Sequence, residues 1–324
     1  MKAIIKLFPP VIGEILLRRI DWTTIQEIRV RIGQAIELIY PDRYEWMEDL
    51  QPTMDEKTFI LNQVSQFSLY RLEEELREGF ITIEGGHRIG ISGRVNRLDD
   101  RIQTIRYISS FNIRVAREKI GVASPFMKSL YKNGCYYSTL IVGPPQSGKT
   151  TLLRDITRSI SSGWKSATPK KVAVIDERSE LGACVHGVPQ LDLGKRTDVM
   201  DACPKSDGMM MMIRSMSPEV LVVDEIGHQR DVDALKEAIN AGVTLLCTVH
   251  GHSWEEVQKR PSIQSLLNEH VFERFIIMNR AIGQKQSNLV LDHQGKSLSD
   301  ATRRKCDEVD WSDAFTRSDY VGRV

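Results

Sequence analysis

Residues 139–156 read TLIVGPPQSGKTTLLRDI: an apolar run, a glycine-bounded loop, and a helix-like pattern that begins at a lysine. No other stretch narrows the possible folds as far. A loop of the form G-x-x-x-x-G-K-[ST] must follow a strand and open a helix if its backbone N–H groups and the helix N-terminus are to converge on phosphate. Both flanks fit. Ser138–Val142 reads as a buried strand, and residues 149–162 read as a helix with Leu152, Leu153, Ile156 and Ile160 on one face. Gly143, Pro144, Pro145, Gln146, Ser147, Gly148, Lys149, Thr150 and Thr151 are therefore the expected binding residues for the phosphates of ATP. Lys149 would bridge the outer phosphates and the Thr150 hydroxyl would ligate Mg²⁺.

Apolar strands and helices alternate after the loop. Strands are expected at Val172–Ile175, Val220–Val223, Val243–Val249 and Phe272–Met278, and further helices at 197–216 and 231–241. This is the pattern of an α/β domain, a parallel sheet with helices on both faces, over residues 138–282. Ligands of such sheets bind at the carboxyl ends of the strands, so the polar residues there are the candidates for chemistry. Val220–Val223 runs into Asp224 and Glu225. Asp224 would hold Mg²⁺ through water, and Glu225 suits orienting and deprotonating an attacking water. A doubled acid favours a hydrolase over a small-molecule kinase. Val172–Ile175 runs into Asp176, Glu177 and Arg178. Asp176 or Glu177 would approach the nucleophilic water or the metal, and Arg178 would serve the γ-phosphate or a neighbouring subunit; a salt-bridged strand end competes with both roles. The strand Val243–Val249 runs into His250, placed to sense the γ-phosphate, with Cys247 in the core.

The first 120 residues have a different texture. Residues 26–40 suggest strand, turn and strand; 55–78 suggest one long amphipathic helix or two abutting ones; and the period-two alternation from Phe80 to Glu118 suggests an antiparallel meander. From Arg88 to Lys119 there are eight Lys or Arg against three acids, a solvated face from which one or two arginines would reach another subunit's nucleotide. The expected organisation is a smaller α+β domain over 1–120, a linker over 121–137 made of a connecting helix and turn, the nucleotide domain over 138–282, and a polar, loosely ordered tail over 283–324.

Composition excludes several classes. The apolar runs are strand-sized, far below the ~20 residues of a membrane helix, and the N-terminus lacks the features of a signal peptide. A cytoplasmic chain with peripheral membrane contact is expected. Five scattered cysteines without a C-x-x-C argue against a disulfide framework and against zinc. The histidines show no ligand spacing, so Mg²⁺ is the one metal expected. With 44 Lys plus Arg against 43 Asp plus Glu, nucleic acid is not favoured as the main partner.

The stretches SSFNIRVARE, GPPQSGKTTLLRDI, VAVIDERSELGA, DLGKRTDVMDACPKSDGM, IRSMSPEVLVVDEIG and AGVTLLCTVHG resemble the stage III sporulation protein AA family of endospore-forming bacteria over most of residues 25–280. More distantly the chain is similar to type II and type IV secretion traffic ATPases, hexameric rings with a sensor-like N-terminal domain ahead of a RecA-like motor domain. The resemblance implies that Glu177 lies in the counterpart of their acidic box and His250 in that of their histidine box. It implies that Arg106 or Arg114 completes a composite site, and that membrane-embedded channel proteins are partners at the mother-cell side of the forespore envelope. Two departures stand against a pilus or general secretion role: Asp224-Glu225 is followed by IGHQRD rather than Ile-Arg-Asp, and no tetracysteine module is present. Two other readings compete: a nucleic-acid-associated ATPase, and a nucleotide-gated scaffold with little turnover. The first is disfavoured because Leu289 stands four residues before His293 where relatives carry R-x-x-x-H; Glu225 argues against the second.

Overall fold

The computed structural model describes residues 1–65, 79–98, 101–165, 167–278 and 288–298. The described residues divide into two units: Met1–Arg117 with Ala183–His186, and Glu118–Gly182 with those from Gly187 to Leu298.

In the first unit, alternating side chains build a six-stranded antiparallel sheet: β1 (Glu27–Arg31), β2 (Ile36–Ile39), β3 (Tyr44–Met47), β4 (Phe80–Ile83), β5 (His87–Leu98) and β6 (Arg101–Arg114), in the order β3-β2-β1-β6-β5-β4. Ile28, Val30, Ile36, Leu38, Ile89, Phe111 and Ile113 all point to one side. There they share a core with Ile4, Leu16 and Ile60 of the helices α1 (Lys2–Ile5), α2 (Pro10–Arg19) and α3 (Met54–Ser65). The helix expected over 55–78 is seen to Ser65, and its remainder lies outside the described residues.

The second unit is a seven-stranded sheet of β9 (Thr139–Gly143), β10 (Val172–Asp176), β11 (Thr197–Asp201), β12 (Val220–Val223), β13 (Thr244–His250), β14 (Arg274–Met278) and β15 (Asn288–Asp292), ordered β11-β10-β12-β13-β9-β14-β15. All but β15 run parallel. Its central strands are apolar on both faces because helices cover both. Leu140, Val142, Leu221 and Val223 pack toward α6 (Lys205–Met216), α7 (Gln229–Asn240), α8 (Trp254–Gln258) and α9 (Pro261–Asn268); Ile141, Val220 and Val222 pack toward α4 (Ser124–Leu130) and α5 (Lys149–Ser162).

Three expectations need correction. The helix expected over 197–216 is strand β11 followed by α6, with Pro204 as the N-cap between them; proline disfavours helical backbone in the residue before it. The stretch 121–137 is more than a linker. Phe126, Met127 and Leu130 of α4 and Tyr136 of the small hairpin β7 (Tyr131–Lys132) and β8 (Cys135–Tyr136) are buried in the core of this unit. Within the expected loose tail, β15 joins the sheet, burying Val290 and Leu291; residues 283–287 and 299–324 lie outside the described residues.

Candidate nucleotide-binding site

The loop between β9 and α5 needs its two glycines for different reasons. Gly148 caps α5 with φ 91°, a left-handed conformation that side chains resist. Gly143 has no room: a Cβ would lie 2.6 Å from Ser147 Oγ and 3.1 Å from Met278 Cβ.

Lys149 starts α5 and is buried. Its Nζ donates to the Pro144 carbonyl at 2.9 Å and to His250 Nδ1 at 3.1 Å. An ammonium has no lone pair to offer, so Nδ1 is the acceptor and the imidazole proton sits on Nε2. That nitrogen is 2.7 Å from Glu225 Oε1, and the other Glu225 oxygen accepts from Arg178 Nη1 at 3.1 Å. Arg178, Glu225, His250 and Lys149 thus form one continuous chain of polar contacts. Burial lowers the Lys149 pKa, while Glu225 and Asp224 pull it back up.

A second chain runs beside the first. Thr150 Oγ1 donates to Asp224 Oδ2 at 2.8 Å, and the other Asp224 oxygen accepts from the Thr248 hydroxyl. A cleft of about 500 Å³ runs over the loop and the first turn of α5, and Arg178, Glu180, Glu225 and His250 also line it. Lys149, Glu225 and His250 therefore meet at one cavity. Glu177 does not line it. Its carboxylate pairs with Lys205 at the start of α6 and borders a smaller pocket of about 10 Å³ next to Asp176, Asp224 and Glu225.

Asp176 is buried and accepts the N–H groups of Glu180, Leu181 and Gly182 at 2.7, 2.9 and 2.8 Å. Desolvation outweighs these bonds and pushes its carboxyl up to about 6. Arg154, one turn beyond the loop on α5, donates to the carbonyls of Glu180 and Leu181 at 2.6 and 2.8 Å. Together Asp176 and Arg154 fix the bend that presents Arg178 and Glu180 to the cleft.

Sequence reasoning missed Glu180, Arg154, Lys205 and Thr248. Arg154 gave no signal, because its neighbours on the helix face, Thr150, Thr151, Thr157 and Arg158, are polar and a charge there reads as a solvated one. The one signal for Thr248 was a polar residue inside a mostly apolar strand. Arg114 makes a 3.7 Å ion pair with Glu27, and the side chain of Arg106 lies outside the described residues.

In fold the chain is similar to the Legionella pneumophila ATPase DotB, with TM-score 0.59 at 15% identity over 95% of this chain and 86% of that one. It is equally similar to the pilus retraction motor PilT solved with bound ADP, with TM-score 0.59 at 14% identity over 91% and 85%. The second unit is thus a RecA-like α/β domain. The sequence is 24% identical over 269 residues to the uncharacterized protein ycf45 of Porphyra purpurea, covering 82% of this chain and 43% of that protein. It is 47% identical over 282 residues to stage III sporulation protein AA of Bacillus subtilis, covering 87% and 91%. The model of the family "Sporulation stage III, protein AA" matches residues 1–298, and the chain belongs to that family.

Proposed function

We propose that this chain hydrolyses ATP with Mg²⁺ as a subunit of a ring-forming traffic-type ATPase that powers or assembles the mother cell–forespore channel during endospore formation. The observation that carries the reading is the meeting of Lys149, Glu225 and His250 at one cleft beside the Thr150–Asp224 pair. Family membership supports the sporulation setting, and the traffic-ATPase likeness of the fold supports the motor.

Mg²⁺ takes a few hard oxygen ligands and keeps several waters. Thr150 Oγ1 and Asp224 Oδ2, 2.8 Å apart, fit that demand as one direct ligand and one water-mediated ligand. When bound with ATP, the ion would offset charge on the phosphates. Lys149 would exchange Pro144 and His250 for phosphate oxygens, its buried ammonium being the better partner for a polyanion. The Nδ1 edge of His250 would then open toward the outermost phosphate, to which it donates only when Nδ1 also carries a proton, while Nε2 stays on Glu225. Glu225 would hold the attacking water and accept its proton, and Arg178, now balancing Glu225, would be released toward the phosphate. Among the described residues no helix is long and apolar enough to cross a membrane. In this reading the contact with channel proteins is peripheral, at the cytoplasmic face of the mother-cell membrane.

The test is steady-state ATP turnover with Mg²⁺. Wild-type protein should hydrolyse ATP. Glu225→Gln should bind it equally well and turn it over about 100-fold more slowly or worse, the scale of a lost proton-transfer group. Equal rates in the two proteins would reject the assignment.

A further inference from the structure

Thr248 lies in β13, a central strand, and is fully buried. A hydroxyl there needs partners, and Thr248 finds all of them in the three residues that follow β12. Its Oγ1 donates to Asp224 Oδ1 and accepts the Glu225 N–H at 2.7 Å, while its carbonyl accepts the Ile226 N–H at 2.9 Å. Glu225 stands at φ 54°, a left-handed conformation rare for a residue with a side chain. Such a conformation persists where its surroundings over-determine it, and here three bonds to a single residue do so.

We infer that Thr248 is a positioning residue that sets the two acids of the site together: it orients the Asp224 carboxylate toward Thr150 and pins the left-handed turn that carries Glu225 into the cleft. The inference rests on the reading that this cleft binds ATP with Mg²⁺. A hydroxyl is required, because one atom must donate to a carboxylate and accept from an amide at once. Serine can replace it; alanine and valine cannot.

Thr248→Ser and Thr248→Ala both lack the methyl group and differ only in the hydroxyl, so their comparison isolates it even if Thr248→Val folds poorly. Two readouts are taken: kcat and KM for ATP, and the Mg²⁺ concentration at which a fluorescent ATP analogue reaches half of its metal-dependent binding. Thr248→Ser should stay within about threefold of wild type. Thr248→Ala should lose about 10- to 100-fold in kcat and need correspondingly more Mg²⁺, as is usual when the support of a metal ligand is removed, with KM and analogue binding in EDTA little changed. Equal behaviour of the Ser and Ala variants would overturn the inference. So would weakening of analogue binding in Thr248→Ala to the same degree with and without Mg²⁺, the mark of a merely structural role. If the wild type binds but does not turn over ATP, the functional reading fails, and the Mg²⁺ requirement of binding still decides the role of Thr248.

Discussion

At Asp176 two opposing effects meet in one carboxyl. Three backbone amides favour its charged form, burial disfavours it, and burial wins, raising it from 3.8 to about 6. Because the folded value lies above the unfolded one, the stabilising contribution is fully present below about pH 4 and is lost as pH rises through about 6. The stability of Asp176→Asn relative to wild type, read from urea midpoints, should therefore improve between about pH 4 and pH 7. A constant difference would contradict the burial argument. Lys149 poses the complementary case, a buried cation whose partners are all within the protein. Lys149→Ala should abolish binding of a fluorescent ATP analogue, and unchanged affinity would count against the loop as the triphosphate site. At this scale the motif residues were legible in the sequence because the chemistry dictates their spacing along the chain. Glu180 and Thr248 were not, because what makes them matter is a partner more than 20 residues away: Thr248 serves a turn that follows another strand, and Glu180 enters the cleft on a bend whose carbonyls Arg154 holds.

Among the elements, those with a buried stripe announced themselves. The helix α5 was expected over its observed residues, because Leu152, Leu153, Ile156 and Ile160 follow helical spacing and Gly148 and Gly163 bound it. The strand β11 gave no such signal. Its sequence TDVMD is mostly polar, it sits at the sheet edge, and its pairing with β10 exists only once the sheet is assembled. β15 is similar, a short apolar run that means little without β14 beside it. The junction between β11 and α6 also explains why Gly208 is a glycine in an otherwise methionine-rich helix: a Cβ there would lie 2.8 Å from Ile175 Cγ2 and 3.2 Å from Cys203 Sγ. Gly208→Ala should gain helix propensity yet lose stability overall, by about 1–3 kcal/mol from overpacking. A melting temperature at or above wild type would show that β10 can yield.

At the scale of the whole molecule, the RecA-like unit and the antiparallel unit each carry their own core. If the proposed ring forms, a nucleotide lies between neighbouring subunits, and specific activity should rise with protein concentration and then level off. Size measurements should show larger particles with a nonhydrolysable ATP analogue than without. A monomer with concentration-independent activity would contradict the ring. The pairing of Lys149 with His250 and Pro144 has a bearing on how such a machine would cycle. When a spent nucleotide departs, the vacated ammonium returns to partners that are already waiting, so no stranded charge resists the departure. An ATPase with this arrangement would trade some grip on its ligand for ease of letting go.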